Sequence, residues 1–493
     1  MKRMISALLA LILMLSLAAC GDSGAETQSG SAQMQEPQES QMIQGIPKVQ
    51  EIQEVQDMQI TDSGRMEPTA LAAPLYPEMA PYPNESDYIG PDGRLSEAFN
   101  ASYDAWWADV RAQREQPEGY AEGMRGFLQN SIHAFLGGAY GENRVYSPLN
   151  VYLALAMLCE LTDGQSRAQL LSLLGAEQVE TVREQARALW NANYRDDGVV
   201  KSVLASSVWL NETVGFIQST LDTLAEDYYA SSFQGRMGTP EYDRMLQTWL
   251  NEQTGGLLSE QADGITMDAQ TLMTLAATIC FKAPWTSKFS LNATEKDVFY
   301  APEEILTVDY MHKSGARSYY WGKSFSAVSL ELESDGAMWL LLPEEGVSPE
   351  DLLQDTQAMD FLLSRDRYGW ENRKHLTVNI AVPRFDIVSD TDLIPGLQAL
   401  GVRDIFDYTV SDFSPLTTDT DEVCVSQAKH AARVKIDEEG CEAAAYTVVT
   451  MRVGAAMPPE EELDFTLNRP FIFCITGAQG LPLFVGVVNT PVS

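Results

Sequence analysis

Two stretches decide how this 493-residue chain is read: Phe465-Thr466-Leu467-Asn468-Arg469-Pro470-Phe471-Ile472-Phe473-Cys474-Ile475, and upstream of it Asp437-Glu438-Glu439-Gly440-Cys441-Glu442-Ala443-Ala444-Ala445. The run from Pro470 to Ile475 has the composition of a buried strand, and His430 to Ile436 reads as another. The connection between them opens Gly-Cys-Glu-Ala-Ala-Ala, passes through Tyr446-Thr447-Val448-Val449 and ends in Pro458-Pro459 and acidic residues. Connections this long are as a rule functional or disordered. Its first half is strand-compatible, which is odd for a solvated loop, and it looks built to become a strand. Small side chains at Gly440, Ala443, Ala444 and Ala445 would let a sheet accept it without overpacking, with Glu442 toward solvent by the two-residue period.

Working outward, Met124, Phe127, Leu128, Ile132 and Phe135 mark one helical face that stops at Gly137-Gly138. Ser147 is a natural N-cap with Pro148 at the first helical position, opening a helix that runs through Leu161 to Gly164. A third helix is expected from a Ser166 cap to Gly175. Strands follow at Val203 to Leu210, Ala337 to Leu342, Leu376 to Ile387, His430 to Ile436, Pro470 to Ile475 and Leu483 to Val488. Helices first and strands mostly late read as α+β, one large domain over 120–493.

The N-terminus has Lys2 and Arg3 ahead of an apolar run, the layout of a secretory signal over 1–19. Leu17-Ala18-Ala19-Cys20-Gly21 resembles the bacterial lipobox, whose cysteine is acylated, so Cys20 is expected to anchor the mature chain at a membrane; an ordinary signal or a single span is the other reading. Residues 20–94 shift to Gln, Glu, Ser, Met and Pro with no core-forming period, and read as a disordered acidic tether. Residues 95–119 carry Phe99, Tyr103, Trp106, Trp107 and Val110 at helical spacing, a helical extension able to pack on the main domain.

A formal net charge of −37 argues against nucleic acid and heparin-like polyanions. Beyond Cys20 the cysteines are Cys159, Cys280, Cys424, Cys441 and Cys474, widely spaced and without a CxxC, so neither a disulfide framework nor a zinc site is indicated. Histidines occur only at 133, 312, 375 and 430, with no HExxH, phosphate-cradling glycine loop or nucleophile elbow, which leaves no catalytic constellation and no cofactor to propose.

Further blocks repeat one family's order. Asn143-Arg144-Val145-Tyr146-Ser147-Pro148-Leu149, Leu161-Thr162-Asp163-Gly164, Trp249-Leu250-Asn251-Glu252-Gln253-Thr254, Phe281-Lys282-Ala283-Pro284-Trp285, Leu342-Pro343-Glu344-Glu345, Val382-Pro383-Arg384-Phe385 and Asp412-Phe413-Ser414 resemble serpin segments, and the two opening stretches resemble the family's C-terminal signature and the hinge of its reactive loop. The resemblance covers about Tyr120 to Ser493. It implies a large central, mostly antiparallel sheet, a second sheet, surrounding helices, an exposed reactive loop over 438–464, and a monomer.

The resemblance also implies a mechanism. A serine protease, or a cysteine protease, attacks the loop as substrate, and the cleaved N-terminal half inserts into the central sheet while the enzyme is still acylated. Glu439, Gly440, Cys441, Glu442, Ala443, Ala444 and Ala445 would form the hinge. Counting about fifteen residues from Gly440 puts the scissile bond at Gly454-Ala455, implying an elastase-like or subtilisin-like target; Met451, Arg452 and Met457 are alternatives, Arg452 implying a trypsin-like one. Ser147, Asn150, His430 and Trp285 fall in the sheet-opening region. Ala277 stands where the family usually has asparagine and Asn150 where it has serine, so the Asn150 amide is expected to substitute. Cys441 stands where Thr or Ser is usual, and its thiol is expected to be exposed and oxidisable before insertion. A non-inhibitory serpin acting as a binding or scaffold module is the rival reading.

Overall fold

The computed structural model describes residues 70–91, 94–138, 140–441 and 459–491. Its principal helices are α1 (Glu97–Arg114), α2 (Arg125–Leu136), α3 (Pro148–Leu161), α4 (Gly164–Leu174), α5 (Val179–Asn193), α6 (Gln218–Asp227) and α7 (Pro240–Gln253). A helix that is apolar all round can only sit inside a core, and every residue of α3 is buried.

Among the described residues the strands form two sheets. The first, central sheet holds β1 (Ala70–Ala72), β3 (Arg195–Asp196), β4 (Lys201–Asn211), β5 (Ala230–Gly235), β6 (Met273–Pro284), β12 (Phe385–Asp392), β13 (Val425–Ile436) and β14 (Gly440–Cys441). The second holds β2 (Arg144–Tyr146), β7 (Thr294–Tyr300), β8 (Ile305–Trp321), β9 (Phe325–Glu331), β10 (Ala337–Pro343), β11 (Arg373–Pro383), β15 (Glu462–Thr466), β16 (Phe471–Thr476) and β17 (Pro482–Val488). Most pairings are antiparallel; β4 with β5, β6 with β13 and β11 with β15 are parallel. Helix α3 packs against β6 of one sheet and β17 of the other. The α+β expectation holds.

Several sequence expectations need correction. The tether does not extend to residue 94: Ala70 and Ala72 pair with Phe233 and Ser232 of β5. Tyr76 lies 5.1 Å from the Trp190 ring, and Tyr82 N–H donates to Asp197 O at 2.8 Å. Tyr76 thus docks on the aromatic surface of α5, whereas the Tyr82 ring packs edge-on against Trp106 of α1 at 4.9 Å; both are single residues, so no periodicity announces them. Helix α1 forms as read, with Phe99, Trp106 and Val110 buried. Helix α4 starts earlier than its expected Ser166 cap, because the Asp163 carboxylate takes the Gly164 N–H and Ser166 Oγ accepts from Asp412 N–H instead. The expected strand from Leu376 to Ile387 is two, β11 and β12, which leave Arg384 in opposite sheets; alternation alone cannot show a strand changing sheets. The reactive-loop bounds also narrow, since residues 462–464 belong to β15, paired to β11 from Thr377↔Glu462 onward.

Candidate functional site

Strands β6 and β13 run side by side but are not zipped along their length. They pair from Val425↔Met273 to His430↔Ala277. Above that, residues 278–282 of β6 pair only with β4, and residues 431–435 of β13 only with β12. The facing edges of this upper stretch have no strand partner among the described residues. At its top a two-residue strand is already seated: Gly440 pairs with Pro284 and Cys441 with Ala283 on one side, and Cys441 with Ile436 on the other. The central sheet therefore contains a slot of strand width with the hinge in its mouth.

The hinge is a tight hairpin. Asp437 N–H donates to Gly440 O at 3.1 Å, and the Asp437 carboxylate accepts from Glu439 N–H at 2.9 Å. Trp285 holds the turn from below, its backbone N–H on Glu439 O at 3.0 Å and its indole Nε1–H on Asp437 O at 2.8 Å. Glu439 is ion-paired to Lys288. Glu438 points inward, its side chain 3% exposed, and accepts from both the Arg384 guanidinium and the Thr294 hydroxyl. Burial alone would push its carboxyl up; the hydrogen bonds from Arg384 and Thr294 outweigh that and hold it below the ordinary range.

Gly440 is required by space rather than by φ. A Cβ there would stand 2.4 Å from Ala283 O and 2.7 Å from Pro284 Cα, both backbone atoms that cannot step aside. Cys441 is 1% exposed. This corrects the expectation of an exposed, oxidisable thiol: seating in the slot buries it and takes it away from oxidants. Peroxide is accordingly expected to leave Cys441 unmodified in the native chain and to modify it after denaturation, as peptide mass spectrometry would show.

The residues expected to govern sheet opening divide into two groups. Trp285 belongs with the hinge. Ser147, Asn150 and His430 lie together under the lower, zipped end, all of them fully buried. His430 Nε2 accepts from Ser147 N–H at 3.1 Å, and its ring meets Tyr146 edge-on at 5.5 Å. The Asn150 amide does not make the substitution expected of it, since neither of its polar atoms has a hydrogen-bond partner among the described residues.

Burial pushes the His430 pKa down to about 4. The unfolded chain binds a proton at this residue near pH 6.5 while the native one resists, so stability falls with pH between about 6.5 and 4, by about 3 kcal/mol in total. Urea denaturation across that window is expected to show this slope, and His430→Asn is expected to remove it.

Sequence reasoning missed Arg384, Thr294 and Lys288 as partners of the hinge. Arg384 was visible in the Val382-Pro383-Arg384-Phe385 block, but its pairing with Glu438 joins residues far apart in the chain. Glu442, Ala443, Ala444 and Ala445, and the bond candidates Gly454, Ala455, Met451, Arg452 and Met457, lie outside the described residues, as do Cys20 and the signal.

A family model described as serpin (serine protease inhibitor) matches residues 127–491. The chain belongs to the serpin family. It is 28% identical over 361 residues to the leukocyte elastase inhibitor of Homo sapiens, a match covering 71% of this chain and 93% of that protein. It is 26% identical over 388 residues to an uncharacterized serpin-like protein of Thermococcus kodakarensis, covering 75% and 87%. The solved native state of the thermophilic serpin Tengpin matches with a TM-score of 0.67 at 23% identity, over 76% of this chain and 95% of that one. Thyroxine-binding globulin bound to thyroxine matches at 0.65 and 20%, over 75% and 99%. These two likenesses concern the serpin fold alone. Within that fold the slot between β6 and β13 lies in the central sheet, with Gly440 and Cys441 at its mouth.

Proposed function

We propose that this serpin is a suicide-substrate inhibitor of serine proteases that traps the acyl-enzyme by drawing its cleaved loop into the slot between β6 and β13. The observation that carries the reading is the hinge itself: Gly440 and Cys441 pair with β6, and Cys441 also with β13, at the mouth of a gap whose facing edges have no strand partner among the described residues. Cleavage releases the loop from β15, and zipping can continue downward from a register already set. Each added residue pairs backbone groups with both neighbours, and the small residues at 443–445 suit a closely packed sheet. Release of stored strain by loop insertion is the switching device for which serpins are known.

The human relative's name, an elastase inhibitor, agrees with a scissile bond at Gly454-Ala455 and a protease with a shallow pocket. The Cys20 lipobox supports display on the outer face of a membrane. The test is to mix the chain with elastase-like, subtilisin-like and trypsin-like serine proteases and look for a complex that survives denaturant. Mass spectrometry of the released C-terminal peptide locates the bond. Cleavage by all three without a complex would overturn inhibition and favour a binding or scaffold role.

A strap controls access to the slot. The turn after α7 reaches across it: Leu257 O accepts from Arg433 Nη1 of β13 at 2.8 Å, while Arg433 also forks onto the Asp386 carboxylate of β12. An entering strand must displace this contact. Charged hydrogen bonds contribute ~1.5–3 kcal/mol, so Arg433→Gln is expected to speed spontaneous loop insertion about tenfold, read as faster loss of inhibitory activity on incubation at fixed temperature.

A further inference from the structure

We propose that the fork between β8 and β9 is a binding site for a small oxyanion, a phosphate, sulfate or carboxylate group on a compact ligand. Strand β8 pairs with β11 along one edge from Tyr310 to Tyr320. Its other edge pairs with β7 only up to Met311 and with β9 only at Tyr320 and Trp321. Between these points residues 312–319 have no strand partner on that edge among the described residues, and a cleft of about 450 Å³ opens beside them. That is the size of a small-molecule site.

The chemistry of the cleft runs against that of the chain. Acidic residues outnumber basic ones by 70 to 33, yet the cleft gathers Lys313, Arg317 and His375, with Ser287 and Ser318 hydroxyls on its walls and Glu331 its one carboxylate among the described residues. Arg317 has no ion pair among the described residues. Its guanidinium makes one long bond, Nη1 to Ser329 O at 3.4 Å across the fork, and its Nε has no hydrogen-bond partner. Burial lowers its pKa, with only the more distant attraction of Glu331 opposing. A partly buried guanidinium without a carboxylate is incomplete, and a planar fork of N–H donors is suited to an oxyanion. Lys313, whose ammonium reaches Ser287 O and lies 5.4 Å from the Phe289 ring centre, supplies the second positive charge. With Glu331 offsetting one of the two, the cleft takes one compact anion. The net charge of −37 repels an extended polyanion.

The experiment is calorimetric titration of sodium phosphate, and separately sodium sulfate, into the full-length chain at constant ionic strength balanced with chloride. The expected result is saturable binding of one anion per chain, weakened at least tenfold by Arg317→Gln and by Lys313→Gln, and unchanged by Arg187→Gln, which alters an exposed arginine on α5, outside the cleft. Near-ultraviolet dichroism identifies any variant that has lost its packing, in which case the other cleft variant decides. No saturable heat above the chloride control overturns the site. So does binding that survives in a folded Arg317→Gln or Lys313→Gln chain, which would place the anion elsewhere.

Discussion

Under the proposed trapping mechanism, Gly440→Val is expected to yield a chain that proteases cleave as a substrate without being trapped. The valine Cβ would meet Ala283 O and Pro284 Cα at 2.4 and 2.7 Å, and neither atom has a rotamer by which to retreat. The hinge must then leave the mouth of the slot or spread β6 from β13, and overpacking of this kind costs ~1–3 kcal/mol. Trapping depends on insertion outrunning deacylation, so a barrier higher by about 1.4 kcal/mol already shifts that competition tenfold. On a denaturing gel, wild type should partition mainly into covalent complex, and the variant mainly into cleaved chain with free protease. Gly440→Ala should move the same way by less. A valine variant that forms complex as efficiently as wild type would mean that the hinge does not use this seat.

Arg384→Ala is expected to cause a large loss of stability. Glu438 is 2% exposed and, among the described residues, would keep only the Thr294 hydroxyl as a side-chain partner. Leaving a buried carboxylate without its cation costs ~3–5 kcal/mol; because Arg384 is itself 30% exposed, the lower end applies. The melting midpoint should fall by roughly 3–5 °C. The pH dependence has a definite sign. With Arg384 present the Glu438 pKa lies below its unfolded value, so the pair stabilises the chain above the unfolded carboxylate range, and that contribution is lost as pH falls through the folded value. In the variant burial is left nearly unopposed and acidification should help rather than harm. Adding Glu438→Gln to Arg384→Ala should recover most of the loss at neutral pH. A double variant no more stable than the single one would mean that the charge is not the cause.

The parts of this arrangement legible in the sequence were those written in contiguous residues. The hinge stood out because a glycine and a run of alanines sat in a connection too long for a simple turn. Helix α3 was legible from an N-cap serine, a proline at the first position and an unbroken apolar run. What could not be read was pairing between distant segments. Arg384 and Glu438 are both charged residues in otherwise ordinary contexts, and only the fold places one against the other. The same holds for Cys441: composition places it in an exposed loop, whereas the β13–β14 hairpin seats it between two strands. The docking of residues 70–91 was hidden for a different reason. Tyr76 and Tyr82 are isolated aromatics in a polar stretch, and their affinity for the α5 surface and for Asp197 depends on surfaces formed elsewhere in the chain.

The central claim is that the gap between β6 and β13 receives the cleaved loop as a strand, and amide hydrogen exchange tests it most directly. In the intact chain, peptides covering residues 278–282 and 431–435 should exchange readily, because one edge of each strand lacks a strand partner among the described residues. After limited cleavage within the reactive loop, both peptides should become strongly protected together with residues 442–449, while peptides from β16 and β17 stay as they were. Unchanged exchange at 278–282 and 431–435 after complete cleavage would contradict the account.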